Sequence, residues 1–113
     1  MTRLRKFSLD ELAGRLLDRA AGSAGGHAAE GVVGGRERVL RQILIGMVKG
    51  SALREHESPG EATVHVLRGR VGLASGETSW EGRAGDLLLV PDARHSLEAF
   101  EDSAILLTVV KRS

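Results

Sequence analysis

Apolar residues near the N-terminus recur every three to four positions, which is the spacing of one face of an α-helix. The residues on this face are Leu9, Leu12, Ala13, Leu16, Leu17 and Ala20, with charged residues opposite them. Ser8 and Glu11 form a capping box, in which each side chain can accept a hydrogen bond from the other residue's backbone N–H. The pattern predicts a helix that ends near Gly22. Its apolar face must pack on this chain's own sheet or on a second subunit.

Short apolar runs between turn residues fill the rest of the chain. A weak strand is predicted before Gly34, followed by strands at 38–48, 52–57, 62–67, 70–74, 78–81, 86–90, 95–100 and 104–110. Glycines and the pair Pro59-Gly60 separate these runs, and their backbone preferences favour turns. Many short strands without an intervening helix indicate antiparallel sheets in a sandwich or barrel.

The chain of 113 residues is long enough for one hydrophobic core and too short for two. We expect a helix and linker in residues 1–26 and a single barrel in residues 27–113, because the glycine-rich segment 22–26 is too short for a domain linker. The 16 basic and 15 acidic residues nearly balance, and aromatic residues are scarce. This composition is typical of an ordinary soluble domain and argues against a nucleic-acid partner.

The chain contains no cysteine, which excludes disulfides and thiolate metal sites. No apolar run approaches the roughly 20 residues needed to span a bilayer. Asp10, Glu11 and Arg15 interrupt the apolar residues that a signal peptide would require near the N-terminus. We therefore expect no membrane partner and a cytoplasmic location, which the absence of cysteine also favours.

Two segments resemble the two motifs of the cupin superfamily. In the first, Gly50 is followed after five residues by His56, and Gly69 closes the motif in a turn. In the second, Gly85 is followed after five residues by Pro91, and His95 comes next. The resemblance covers most of the chain and is closest to the small, RmlC-like cupins of the cupin-2 type.

The resemblance implies an all-β fold, namely a double-stranded β-helix (a jelly-roll or cupin barrel) with a short N-terminal α-helix. It also implies a metal held by three histidines and a glutamate, and here the sequence departs from the family. The second histidine of the first motif falls on Ser58, and the glutamate falls on Ala62. Ala93 replaces the glycine of the second motif. Only His56 and His95 match the family's ligand positions.

Side chains alternate between the two faces of a strand. If His56 faces the barrel interior, then Arg54 and Ser58 are expected to face it too, together with His95 on a later strand. These four residues are the candidate ligand-binding set. The predicted apolar walls are Ala62, Val64, Val66, Leu97 and Ala99. His65 is out of phase with this set and is expected to point outward.

Three interpretations of the two histidines remain open. His56 and His95 could hold a divalent transition metal (Zn, Fe, Mn or Ni) with a further ligand such as Glu61, which a bulge at Pro59-Gly60 would bring into phase. They could instead be remnants of an ancestral site, hydrogen-bonded without metal. They could also act without metal, as a general acid or base or as ligand-binding groups, since histidine titrates near neutral pH.

These observations favour a small-molecule-binding cupin with a degenerate metal site and do not identify a reaction. The alternative is a metal-dependent cupin enzyme of the dioxygenase or isomerase type. A third possibility is a regulatory module that works as a dimer. Cupins commonly form dimers, so a homodimer is expected, with the helix, Leu53 and Leu67 supplying outward apolar surface. His27 is expected at the surface, and Trp80 in packing or in a subunit contact.

Overall fold

The computed structural model describes residues 5–56 and 60–111, with the side chains of residues 55 and 56 excluded. One helix and nine strands lie in these ranges. They are α1 (Leu9–Ala21), β1 (His27–Val33), β2 (Leu40–Met47), β3 (Ala52–His56), β4 (Gly60–Arg68), β5 (Arg70–Ser75), β6 (Thr78–Arg83), β7 (Leu87–Leu89), β8 (His95–Ala99) and β9 (Ser103–Lys111). The predicted all-β class with a short N-terminal helix is confirmed. Among these elements no helix has the length and apolar character needed to cross a membrane.

The strands form two antiparallel sheets that face each other. The larger sheet has the order β1-β2-β9-β4-β7, and the smaller one has the order β3-β8-β5-β6. The core lies between them, and side chains of both sheets contribute to it; along β4, β5 and β8 the buried residues fall at alternate positions, as expected for a sheet with one buried face. Its buried members are Ile45, Met47, Val64, Val66, Val71, Leu73, Leu97, Ala99 and Ile105. The arrangement is the predicted double-stranded β-helix.

Helix α1 packs on the outer face of the larger sheet. The Ser8 hydroxyl accepts a hydrogen bond from the Glu11 N–H at 3.4 Å, and Gly22 caps the C-terminus, both as the sequence predicts. The apolar face forms a second buried cluster with sheet residues Leu44, Ala104 and Leu106. The helix therefore covers this chain's own sheet, and its apolar face is not available to a second subunit.

A glycine permits this close packing. A Cβ atom on Gly46 would lie 2.7 Å from the carbonyl carbon of Leu16 and 2.8 Å from the backbone nitrogen of Leu17. Real Cβ atoms do not approach backbone atoms so closely. Only glycine at this position of β2 allows the helix backbone to rest on the sheet.

Several predicted boundaries differ from the structure. The first strand is longer and better paired than expected, because His27–Val33 pairs with β2 along its length. Asp86 was predicted to begin a strand, but its carboxylate accepts a hydrogen bond from the Arg83 N–H at 2.8 Å and fixes the turn before β7. The strand is consequently only three residues long.

The predicted dimer surface is also wrong in two places. Leu53 is partly buried and packs against the core between the sheets. Leu67 packs against the cluster under the helix. Neither side chain supplies the outward apolar surface that strand alternation suggested, and the homodimer stays a prediction.

Candidate functional site

Strand β3 contains an irregularity that determines which of its side chains face the core. Its register against β8 pairs Leu53 with Leu97 and His56 with His95. Three steps along β3 thus match two steps along β8, so β3 carries one extra residue, as in a β-bulge. A bulge interrupts the alternation of side chains, and the faces predicted from simple alternation fail at this point.

Arg54 is the residue most affected. Alternation placed it in the barrel interior with His56, but the structure shows Arg54 exposed and its neighbour Leu53 packed against the core. The prediction of an interior Arg54 is wrong because it assumed an unbroken strand. Ser58 lies outside the described residues. His56 is described only through its backbone pairing.

His95 is buried, with 6% of its surface exposed, at the start of β8. Its Nδ1 lies 2.9 Å from the carbonyl oxygen of Ala93. A carbonyl only accepts, so Nδ1 carries the proton, and in the neutral ring Nε2 is the nitrogen with the lone pair. The loop before β8 is held in turn by the Ser75 hydroxyl, which donates to the carbonyl oxygen of Arg94 at 2.7 Å. The imidazole therefore has a defined tautomer and orientation.

A cavity of about 30 Å³ adjoins His95 inside the barrel. Its other lining residues are apolar and come from both sheets; they are Ile45, Leu53, Val64, Leu73, Val90, Leu97, Ile105 and Leu107. Of the predicted walls, Val64 and Leu97 are among them. This volume corresponds to about one water molecule. His65 lies between the buried Val64 and Val66 and does not line the cavity, in agreement with its predicted phase.

Glu61 does not reach this cavity. Along β4 the residues Val64 and Val66 are buried, and Glu61 is exposed on the alternate phase. It lines a separate surface depression together with Asp92. The expectation that a bulge would bring Glu61 into phase with the histidines is not met, because the burial pattern of β4 keeps its alternation from Glu61 onward.

The donor atoms do not fit the metal centre that the family resemblance implies. The four ligand positions of that centre carry His56, Ser58, Ala62 and His95 in this chain. Among the side chains that the structure describes, which are those of residues 5–54 and 60–111, no group of three or more histidines, aspartates or glutamates lies close enough together to hold a metal ion. Sites for zinc or non-haem iron generally use at least three protein ligands. His95 and its apolar surroundings do not supply them.

A larger depression opens beside the cavity, at the side of the barrel where β1 and β3 are the edge strands of the two sheets. Its volume is about 700 Å³, and it is lined by Gly25, His27, Gly50, Ser51, Ala52, Leu53, Arg54 and Leu107. Leu53 and Leu107 line both this depression and the cavity next to His95. These two side chains therefore separate the outer space from the inner one.

The opposite side of the barrel is closed. There β6 and β7 are the edge strands, and Leu88 of β7 packs so closely on β6 that a Cβ on Gly82 would lie 3.0 Å from its Cδ1 atom. The two sheets are therefore in close contact on this side, whereas the depression lies on the side of β1 and β3.

The sequence did not indicate His27 as a site residue. It begins β1 and pairs with Met47, whose side chain is fully buried, so His27 belongs to the inner face of the larger sheet. The ring is half-buried, and its Nδ1 lies 3.3 Å from the carbonyl oxygen of Gly25. Alternation of side chains along β1 would have assigned His27 to the inner face of the sheet. The sequence, however, predicted a strand that begins after His27.

No protein-family model matches the sequence, and no curated protein matches it either. Solved structures do match. A conserved protein of unknown function from Streptococcus pyogenes has a TM-score of 0.75 and 20% identity, with 100% of this chain and 92% of that one covered. A cupin superfamily protein from Desulfitobacterium hafniense DCB-2 has a TM-score of 0.69 and 16% identity, with 76% and 78% covered.

An enzyme of known activity shares the architecture. Salicylate 1,2-dioxygenase from Pseudoaminobacter salicylatoxidans has a TM-score of 0.76 and 20% identity, with 88% of this chain but only 33% of that chain covered. Identities of this size show a common fold and do not transfer an activity. From its sheet topology and these matches, the chain has the fold of a small cupin.

Proposed function

We propose that the protein binds a small organic molecule in the depression between β1 and β3, with the buried His95 behind it. The proposal rests on one observation, namely that Leu53 and Leu107 line both the depression and the inner cavity next to His95. A depression of about 700 Å³ lies within the roughly 300–1,000 Å³ typical of small-molecule sites. The inner cavity alone is too small for such a molecule.

In this proposal His95 acts through hydrogen bonding. Its Nδ1 is held by the carbonyl oxygen of Ala93, and the ring adjoins a cavity that is otherwise lined by apolar side chains. A polar atom of the ligand that reached the inner cavity would gain a hydrogen bond that is strengthened by the low local dielectric. The same surroundings reject a polar group that cannot make this bond. His95 would therefore contribute to selectivity.

The proposal also holds that the site works without a tightly bound metal, because the described side chains around His95 do not include a set of three ligands and the family's other ligand positions carry Ser58 and Ala62. One observation favours the alternative of a metal-dependent enzyme of the dioxygenase or isomerase type. The backbone register places His56 opposite His95. These two residues occupy the positions that match the family's metal ligands. The similarity of fold to a dioxygenase is compatible with this alternative.

The metal content and the retained organic molecules of the purified protein distinguish the two proposed functions. The protein is expressed without a histidine tag, so that no metal column is used, and its Zn, Fe, Mn and Ni contents are measured by inductively coupled plasma mass spectrometry. Native mass spectrometry of the same sample detects any retained organic molecule. Metal well below one ion per chain, with or without an organic adduct, supports the proposal. A stoichiometric metal would overturn it in favour of the enzyme.

We also propose that the protein forms a homodimer and is located in the cytoplasm. Light scattering after size-exclusion chromatography tests the first, and a fluorescent fusion in the source cell tests the second. A monomer at micromolar concentration would remove the dimer from the proposal.

A further inference from the structure

The edge strands of the two sheets differ in how far they are protected against pairing with another chain. Proteins shield such edges with short strands, bulges or charges, because unpaired backbone groups attract a further strand. Strand β7 is only three residues long, and β3 contains the bulge described above. On β6 the N–H of Arg83 is bonded to the Asp86 carboxylate. Strand β1, in contrast, has seven residues and no proline, so its edge is the least protected of the four.

The hydrogen bonds of β1 show which of its backbone groups face this edge. In an antiparallel pair, successive residues direct their N–H and C=O groups alternately toward the partner strand and away from it. The Gly26 carbonyl oxygen, just before the strand, accepts from the Val48 N–H of the β2 side at 2.9 Å. Even-numbered residues of β1 therefore face β2. The backbone groups of His27, Ala29 and Gly31 face outward.

These outward groups are accessible to a second strand. In residues 5–56 and 60–111, no strand pairs with β1 on this side, and neither Ala29 nor Gly31 has a hydrogen-bond partner there. The side chains are also small. A Cβ atom on Gly31 would meet no heavy atom within 4 Å. Another backbone can thus approach that of β1 closely.

We propose that β1 pairs with β1 of a second copy of this chain, antiparallel and about a twofold axis at Ala29. In this register Ala29 lies opposite Ala29 of the second copy, and His27 lies opposite its Gly31. All the outward-facing residues then form hydrogen-bonded pairs, with about six N–H···O=C bonds in total. The larger sheets of the two copies join into one continuous sheet through an isologous interface. This inference rests on the homodimer proposed above and gives it a surface; it does not depend on which ligand the protein binds.

The regular part of β1 has the length that this pairing uses. Gly26 has a φ of 74°, in the left-handed region, and ends the extended backbone just before the strand. The register against β2 shifts between Gly31 and Val33, so β1 carries an extra residue there and its regular part ends at Gly31. The remaining segment, 27–31, is symmetric about Ala29. Its free backbone groups are therefore complementary to those of a second copy of the same segment.

The charge on this segment favours the same register. Glu30 belongs to the outer face of the sheet, where its carboxylate lies 3.6 Å from the guanidinium of Arg19 on α1. With the axis at Ala29, Glu30 lies opposite Ala28 of the second copy. An axis at Glu30 would instead place two carboxylates directly opposite each other, which is unfavourable in a sheet. It would also leave His27 without an outward-facing partner in the regular segment.

The second strand would border the depression proposed as the binding site. His27 lines this depression and belongs to the inner face of β1. Residues opposite each other in a sheet place their side chains on the same face. The imidazole would therefore lie beside Gly31 of the second copy, which has no side chain to exclude it. In this way each copy extends the wall of the other's depression.

Sedimentation equilibrium of the parent protein and of Ala29→Pro tests the inference. Proline removes the N–H that faces the free edge and leaves the bonds between β1 and β2 intact, and edge strands tolerate proline in this orientation. The parent should be a dimer. In the variant the dissociation constant should rise by about 30-fold or more, because the pair of hydrogen bonds at the axis is lost.

Ser79→Pro is the matched control. The Arg70 carbonyl oxygen of β5 accepts from the Phe100 N–H on the side of β8, so the even-numbered residues of β5 face β8. Ser79 of β6 pairs with Ala74, an even-numbered residue, and its N–H therefore faces the free edge of β6. The same substitution in the same orientation should leave the dissociation constant of the dimer unchanged.

The possible results distinguish this surface from the dimer itself. A monomeric parent protein would overturn both. A dimer that persists unchanged in Ala29→Pro would overturn the β1 surface and leave the homodimer, and so would equal weakening by Ala29→Pro and Ser79→Pro. Each variant is first checked for the thermal unfolding midpoint expected of a folded protein.

Hydrogen exchange in the unmodified protein gives a second test that needs no variant. The Glu30 N–H faces β2 and should be protected in both monomer and dimer. The Ala29 N–H should be protected only in the dimer, and its protection should be lost when the protein is diluted below the dissociation constant. Exchange resolved to single residues makes this comparison. Rapid exchange of the Ala29 amide in the dimer would overturn the inference.

Discussion

His56 and His95 lie directly opposite each other in the antiparallel register of β3 and β8, although four other strands separate them along the chain. The pairing follows from the extra residue in β3 between Leu53 and His56. This pairing brings together the backbones of the two ligand positions of the cupin motifs at which this chain has a histidine. The other two ligand positions of the family carry Ser58 and Ala62 in this chain.

The double variant His56→Ala with His95→Ala tests the pair directly. It should fold cooperatively and should lose metal binding and binding of any organic ligand held at the inner cavity. The structural cost should be modest, about 1 kcal/mol for the lost hydrogen bond between His95 and Ala93, with a further cost for the buried volume removed. Circular dichroism during heating gives the first result, and calorimetric titration with Zn²⁺ together with native mass spectrometry for a retained organic molecule gives the second. Unchanged titrations would place the site elsewhere.

The fold could be read from the sequence because its main signals are local. Alternating apolar residues at Val64, Val66 and their neighbours produce strands, and the Ser8–Glu11 box begins the helix. Glycines with positive φ angles mark many of the turns, among them Gly69, Gly76 and Gly85. These features act over a few residues, so they do not depend on knowing which strands pair.

The candidate site was harder to predict, because its geometry depends on a register shift. No residue type marks the bulge in β3, and a shift of one position exchanges the faces of Leu53 and Arg54. His27 was missed for a related reason. Its contribution arises from pairing with Met47 and from the position of β1 at a sheet edge, which are properties of the assembled sheets.

Gly46→Ala should destabilise the docking of helix α1. The added Cβ would lie 2.7 Å from the backbone of Leu16, and backbone atoms cannot move aside as a flexible side chain can. We expect a loss of about 1–3 kcal/mol in the free energy of unfolding, measured by urea denaturation. Gly31→Ala is the control, because a Cβ at Gly31 in the edge strand β1 meets no heavy atom within 4 Å. Equal effects of the two substitutions would contradict the close packing described for the helix.

Ser103→Ala should destabilise the protein more than Arg70→Gln does, although Arg70 forms ion pairs with both Glu81 and Glu101. Ser103 is fully buried, and its hydroxyl accepts from the Arg70 N–H at 3.0 Å and contacts the carbonyl oxygens of Glu101 and Arg70. Removing it leaves buried backbone groups without a partner, at a cost of about 1–3 kcal/mol. Urea denaturation of the two variants makes the comparison.

The ion pairs of Arg70 should behave as surface pairs. Glu81 first and then Glu101 raise the pKa of Arg70 above its usual value, so the guanidinium stays protonated wherever the protein is folded. The pairs are partly exposed and therefore screened by salt. The difference in stability between the parent and Arg70→Gln should shrink between 0.05 and about 1 M NaCl, where the Debye length falls to about 3 Å. A difference that is independent of salt would mean that packing of Arg70 over the Phe100 ring carries the effect.

Leu53→Ala should join the outer depression to the inner cavity, because Leu53 lines both. The enlarged space should admit a longer apolar molecule, so 1-octanol should gain affinity relative to 1-hexanol in the variant but not in the parent. The substitution should also cost about 2 kcal/mol of stability or more, since Leu53 packs against the core. Calorimetric titration of both alcohols checks the first outcome, and urea denaturation checks the second. Leu89→Ala, at a leucine that is 74% exposed on β7, is the control and should change neither quantity. An unchanged ratio of the two affinities in Leu53→Ala would show that this side chain does not separate the two spaces.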